Sequence, residues 1–311
     1  MSTAVDPLST EAEPAKAGGP SVVRQLLGNG SVCFGGVVLV LLFLIALAAP
    51  ILGTLDPAAL DPTLRNQLPF DSNVVVDENG QEIIVTHWMG TDTLGRDLYS
   101  RVVYGARVSL IVGFAVASLA IGIGLLIGLA SGYIRWLDAI VMRIMDGLMA
   151  IPSILLALGL VALWGAGLVT VILAITVPEI PRVVRLVRSV VLSVREEPYV
   201  EAAIAVGTPT HKILHRHILP NTIAPLIVQA TYTVGLAILV EAILSFLGVG
   251  IPTDIPTWGN IMAEGRLLFR VFPHAILFPG IFLALAVLAI NILGDGLRDT
   301  LDPRFAKRTS T

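Results

Sequence analysis

Five stretches without a single Asp, Glu, Lys or Arg (25–55, 108–134, 147–178, 217–240 and 271–294) constrain this chain more than any other feature. Each exceeds the roughly 20 apolar residues that cross a hydrocarbon layer about 30 Å thick. Peptide groups in that layer find no water, so their hydrogen bonds must close within the segment and the runs read as helices. Composition agrees: of the 311 residues 55% are hydrophobic and 14% charged, with mean hydropathy +0.84, where a soluble domain carries about 25% charge. A disordered chain and a free cytosolic enzyme are excluded. The expected fold class is all-α and integral to the membrane, with six transmembrane helices at 31–53, 106–132, 138–162, 167–188, 222–247 and 275–294.

Orientation follows from the cations, which collect on the cytoplasmic side of short loops. With the N-terminus inside, 14 Lys and Arg fall in inner segments and 6 in outer ones. Both termini are therefore expected in the cytoplasm. The resulting plan is a cytoplasmic polar tail at 1–30, a first helix at 31–53, and an extracytoplasmic loop at 54–105. A membrane domain follows at 106–296 with an inner loop at 189–221, then a cytoplasmic tail at 297–311. The first apolar run is too long for a signal-peptide core and is expected to be retained.

The outer loop 54–105 holds eight acids and the run VVVDENGQEIIV at 74–85. Two β-prone stretches around Asn79-Gly80 predict a hairpin. The second outer loop, 248–274, carries Trp258 and Phe272, read as aromatic stops at the membrane surface. A net charge of −3 offers nothing to nucleic acid, and the lone Cys33 allows no intrachain disulfide. It is expected to act as a small apolar residue facing lipid or a neighbouring helix.

Within the inner loop, EEPYVEAAIAVG predicts a short amphipathic helix that Gly207 can end, and HKILHRHIL a second stretch stopping at Pro220. Two such helices suit a groove on another protein, or else lie on the membrane surface. The lysines, Lys16, Lys212 and Lys307, follow Ala, His and Ala, so no G-x-x-x-x-G-K-[ST] phosphate loop exists and an ATP-driven chain would need its motor elsewhere.

The run E-A-A, three residues, Gly, then a nearby L-P resembles the EAA loop of ABC importer permeases. Where the common form has Ile after nine intervening residues from the Gly, His217 stands here, and that variant, RHILPN, resembles the dipeptide, oligopeptide and nickel branch. MGTDTLGRDLYSRVVYGARVSL (89–110), EAILSFLGVG (241–250) with PTWGNIMAEGR (256–266), and NILGDGLRDTLDPR (291–304) resemble the same branch, so that the likeness covers roughly 30–304. It implies a type I ABC importer transmembrane domain in a bacterial inner membrane, forming half of a translocation pathway for peptides or a related solute. The implied partners are a homologous second permease, two ATP-binding subunits and an extracytoplasmic solute-binding protein. ATP and Mg would be held by those subunits, with no cofactor in this chain. By the same resemblance Glu201, Ala202, Ala203, Gly207, His217, Leu219 and Pro220 form the element that couples to the ATPase. The competing class is a secondary transporter or channel working without an ATPase.

Intramembrane charges are costly and so are functional or structural candidates. Arg143 and Asp146, and Glu179 and Arg182, stand three apart, a spacing that allows pairing on one helix face. Glu241 has no partner within four residues and needs one on another helix, or water. Pro152, Pro178 and Pro181 are expected to kink their helices. Gly124, Gly128 and Gly132 line one face and predict close helix packing. His211 and His215 have zinc-like spacing, but no carboxylate follows and no metal site is expected. His87 and His274 lack a G-x-S-x-G partner, so no catalytic triad is assigned.

Overall fold

The computed structural model of the chain describes residues 22–76 and 82–301. In chain order the elements are α1 (Val22–Gly28), α2 (Gly30–Ala48), β1 (Asp71–Val76), β2 (Glu82–His87) and α3 (Leu98–Tyr133). There follow α4 (Arg135–Met149), α5 (Ser153–Trp164), α6 (Leu168–Arg195), α7 (Pro198–Ala205) and α8 (Thr210–Ile213). A π turn, Leu214–Ile218, leads into α9 (Leu219–Phe246), then α10 (Trp258–Gly265) and α11 (His274–Leu301).

Among the described residues, four helices are long and apolar enough to cross a bilayer: α2 with its short extension to Ile51, α3, the continuous run Thr210–Phe246, and α11. Counting α4 and α5 as one broken span makes five. The expected span 138–162 is thus corrected to two helices bent by 87°. The break falls at Pro152, whose ring disfavours a helical conformation for the preceding residue. The expected span 167–188 lies within α6, whose Glu179, Arg182 and Arg185 carry too much charge for a span on composition alone. Helix α6 runs unbroken through Pro178 and Pro181, both buried.

Other boundaries shift for a common reason, since charge marks the edge of the bilayer and not the end of a helix. Helix α3 begins at Leu98 instead of 106, capped by Asp97, whose carboxylate accepts from the Ser100 amide at 2.7 Å. Its 36 residues measure about 54 Å, well beyond a hydrocarbon layer. Residues 22–28, assigned to a polar tail, form α1, and 297–301, assigned to the other tail, extend α11. The inner loop does not stop at Pro220. A proline removes the amide that would bond back one turn, and the wider π turn just before it lets the chain continue into α9.

The hairpin is present as β1 paired antiparallel with β2, Val74 opposite Ile84. Asn79 and Gly80 lie outside the described residues. Helix α3 packs along α6 more extensively than any other pair of elements. A Cβ added to Gly124, Gly128 or Gly132 would fall 2.5, 2.6 or 2.7 Å from the Cβ of Val183, Val187 or Val191. The small-residue face predicted from the sequence is this seam. Cys33 is half-buried on α2, with its Sγ 3.2 Å from the Leu27 carbonyl.

Candidate functional site

The inner element is built outward from three buried side chains. Val200 of α7, Ile213 of α8 and Ile218 of the π turn are each at most 1% exposed and join Val187, Val191 and Leu226 in one apolar cluster. They seat the segment 198–218 against α6 and α9. Pro198 opens α7 at its first turn, where no amide donor is missed. Gly207 closes it with φ +78°. Its amide donates to Ile204 O at 2.9 Å and that of Thr208 to Ala203 O at 3.0 Å, so the last carbonyls are satisfied in a Schellman arrangement.

With that anchoring, the opposite side faces outward. Glu201, Ala202 and Ala205 are exposed, Ile204 is 47% exposed and Val206 81%. Glu201 has no ion-pair partner among the described residues. Ala203 is half-buried, as are His217 and Leu219, while Pro220 is exposed. Tyr199, which the sequence reading did not single out, stacks obliquely on His217 at 5.9 Å, and its hydroxyl accepts from Asn221 Nδ2 at 3.3 Å. Glu201, Ala202, Ala203 and Gly207 therefore share one projecting ledge that ends in a rigid turn, while His217, Leu219 and Pro220 lie beyond it, where the chain passes into α9. Because the space around Gly207 is open, only backbone strain opposes a side chain there, about 1–2 kcal/mol for a non-glycine residue. Gly207→Ala is expected to raise proteolytic cleavage within 196–213 about fivefold, with Gly207→Asn affected less; equal rates for all three would show the turn to be unimportant.

The intramembrane charges are distributed otherwise than expected. Asp146 does not pair with Arg143; it bonds to Arg185 of α6, and Asp138 to Arg188 Nη2 at 2.7 Å. Arg143 stays exposed and has no partner among the described residues. The reason is geometric: α4 leans on α6, and cross-helix carboxylates reach the guanidinium groups directly. Glu179 and Arg182 do pair, at 3.5 Å, with Glu179 buried. Glu241 has partners: Ser245 four residues on, which corrects the sequence reading, donates at 2.8 Å, and Ser109 of α3 at 3.3 Å. Ser109 is the interhelical partner the sequence required without naming.

A cavity of about 650 Å³ opens between α6, α9 and α11, lined among others by Leu186, Asn221, Gln229, Tyr232 and Arg298. It begins beside Pro220, directly behind the ledge.

At the other end a buried ionic knot joins the two outer loops. Arg96 Nε bonds to Asp92 at 2.7 Å and its Nη2 to Glu264 of α10. Arg101, fully buried, reaches Glu264 at 3.4 Å and the Thr253 carbonyl at 3.3 Å. Burial pushes the Glu264 carboxyl above the usual carboxylate range, while Arg101 and Arg96 pull it back. Trp258 is not an aromatic stop at a membrane surface but is fully buried, donating from Nε1 to Val102 O at 3.1 Å. Phe272 is half-buried against His274. The knot was missed because Glu264 stands 163 residues from Arg101, and no local spacing links it to Asp92, Arg96 and Arg101.

Residues 120–307 match the family described as "Binding-protein-dependent transport system inner membrane component". The chain is similar to the probable peptide ABC transporter permease protein y4tQ of Sinorhizobium fredii, 51% identical over 93% of this chain and 94% of that protein. It is 42% identical to the dipeptide transport system permease protein DppC of Alkalihalophilus pseudofirmus, over 90% and 88% of the two chains. The glutathione transport system permease protein GsiD of Pectobacterium atrosepticum is 42% identical over 70% of this chain and 73% of its own.

Proposed function

The chain belongs to the binding-protein-dependent transport system inner membrane components, permease subunits that are not themselves enzymes, and we propose that it forms half of the translocation pathway of an ATP-driven importer of peptides. The ledge at Glu201–Gly207 carries this reading. Exposed Ile204 and Val206 beside small alanines form a surface that gains from being covered, and its rigid seat on α6 and α9 gives any push a direct route to the helices around the cavity. The ledge would dock on an ATP-binding subunit, with Glu201, Ala202 and Ala203 at the contact. Gly207 would fix the exit, and His217, Leu219 and Pro220 would transmit movement into α9. ATP and Mg would be held in two such subunits, and a homologous second permease would complete the pathway.

Closure of the ATPase pair would then turn the cavity from inward- to outward-facing, and hydrolysis would reset it, an alternation of two packed states. Six spans follow if α4–α5 counts as one and α6 as another, with both termini cytoplasmic. The outer loops 54–105 and 248–274, joined by the Arg96–Arg101–Glu264 knot, would receive the solute-binding protein. Peptide as the solute rests on the names of the relatives. Of the intramembrane charges, Asp146 and the Glu179–Arg182 pair serve helix docking in this reading, and Glu241 joins α3 to α9.

Glu201→Lys and Gly207→Asp, introduced in the complete transporter, test the coupling. A charge placed wrongly at a docking surface costs on the order of tenfold or more in affinity. ATPase subunits are expected to fall away on co-purification and peptide uptake to drop with them, while the chain still inserts and pairs with its second permease. Unchanged association and uptake would sink the docking role.

A further inference from the structure

Helix α4 presents a face that neither the fold nor the proposed function uses. Trp136, Ile140 and Ile144 recur every four residues and are 68%, 54% and 54% exposed. At 100° per residue they form one stripe. Arg135 and Arg143 run alongside it, both exposed and without a partner among the described residues. The acids of the same helix are already committed, Asp138 to Arg188 and Asp146 to Arg185. The outward half of α4 is therefore an apolar stripe with the free cation Arg143 at its edge, about 20° round the helix from Trp136, and with Arg135 at its N-terminal end.

Its depth follows from the α3–α6 seam. Arg107 Nε donates to Ala46 O at the outer end of α2, which places that residue near the outer boundary. Roughly 20 residues cross the hydrocarbon layer, so the inner boundary falls close to Gly128, level with Val187. Arg185 and Arg188, with the two carboxylates of α4 bonded to them, sit at that boundary. Helix α4 stands at 87° to α5, which rises into the outer half beside Val171 and Val112. It thus runs obliquely along the inner surface as the shallow inner limb of the broken α4–α5 span.

We infer that α4 is an interfacial helix bound to the inner leaflet, with Trp136, Ile140 and Ile144 among acyl chains and Arg135 and Arg143 holding the phosphates of anionic lipid headgroups. An amphipathic helix with aromatic and aliphatic residues on one side and arginines beside them lies in this position by its own energetics. Each arginine near an anionic surface contributes about fivefold in partition. Charge complementarity selects the lipid over a protein partner: a dry protein interface would leave two guanidinium groups unpaired, whereas headgroup phosphates accept from both.

The full-length chain, with Cys33→Ala and a spin label at Ile140→Cys, is reconstituted in phosphatidylcholine vesicles with and without one-quarter phosphatidylglycerol. The label is expected to be relaxed by oxygen and shielded from a water-soluble nickel chelate. The unlabelled chain is expected to gain about 2–4 °C in unfolding midpoint from phosphatidylglycerol, and Arg135→Gln with Arg143→Gln to remove that gain while leaving the midpoint in pure phosphatidylcholine unchanged. A label open to the nickel chelate, and shielded only when the second permease or the ATPase subunits are added, would assign the face to protein and overturn the inference. So would a phosphatidylglycerol gain that persists in the double variant.

Discussion

Arg101→Met is expected to lower the stability of the purified chain by about 3–5 kcal/mol, the cost of breaking a buried ion pair from one side. The side chain is fully buried, and within reach of its guanidinium lie Glu264 at 3.4 Å, Asp92 at 3.7 Å and the Thr253 carbonyl at 3.3 Å. Methionine fills much of the volume but leaves Glu264 and Asp92 sharing one cation, Arg96, and takes a donor from the Pro57 and Thr253 carbonyls, the latter keeping Arg96 Nη1 at 3.5 Å. Two carboxylates around one guanidinium in a site nearly closed to water cannot both keep their charge at low cost. The penalty should appear as a fall of about 10 °C in the unfolding midpoint, read by fluorescence-detected size exclusion.

A second substitution separates charge imbalance from simple loss of packing. Glu264→Gln added to Arg101→Met restores neutrality around Arg96 and Asp92, and is expected to recover a substantial part of the loss, because the two positions share one network and are not additive. If Arg101→Met alone leaves the midpoint within a degree of the parent, the knot holds nothing together. Its position gives the loss a functional side. The turn of α3 that carries Arg101 also receives the Trp258 indole on Val102 O, so loosening it frees α10 and with it the outer loop 248–274. Uptake dependent on the solute-binding protein should therefore fall further than the amount of folded transporter does.

What the sequence showed of this fold were the features whose cause is local. Long uncharged runs must be helices in a bilayer, glycines four apart must meet another backbone, and a glycine after an alanine-rich turn can adopt a left-handed cap; α2, the α3–α6 seam and Gly207 all follow. Asn-Gly between β-prone runs located β1 and β2. The misreadings share the opposite cause. Asp146 has Arg143 within reach on its own helix, yet a guanidinium 39 residues away is better placed once α4 leans on α6. Trp258 reads as an interfacial aromatic until Val102, 156 residues earlier, is seen to accept from its indole. Pro220 reads as a helix stop because a π turn that absorbs it leaves no mark in residue types. Arg101 reads as a loop residue because charge is taken as the end of a helix, whereas α3 extends beyond its apolar run to Leu98 and is covered there by protein. The projecting ledge was visible as a motif, but the buried feet that aim it, Val200, Ile213 and Ile218, became evident only with the fold.

Gly128→Leu is expected to prevent α3 and α6 from closing, with a cost of about 3 kcal/mol or more and loss of a monodisperse chain. Overpacking a filled interior costs about 1–3 kcal/mol where side chains can move aside. Here the obstacle is less movable. The first added carbon would lie 2.6 Å from Val187 Cβ and 3.0 Å from the Val184 carbonyl oxygen, atoms fixed to the facing backbone. Gly124 and Gly132 meet Val183 and Val191 in the same way on either side, so parting the helices at Gly128 opens the whole seam and forfeits its dispersion contacts. The same substitution at Gly122, which faces open space on the same helix, supplies the comparison and is expected to stay within about 1 kcal/mol of the parent. Gly128→Ala with Val187→Gly moves the notch from one helix to the other and should recover part of what Gly128→Ala alone loses, the Val184 carbonyl still crowding the new methyl. Equal behaviour of Gly122→Leu and Gly128→Leu would mean that the seam does not hold α6 in place. Helix α6 carries the arginines that clamp α4 and, through Val187 and Val191, the seat of the ledge, so the loss would reach both α4 and the segment 198–218 from a single added side chain.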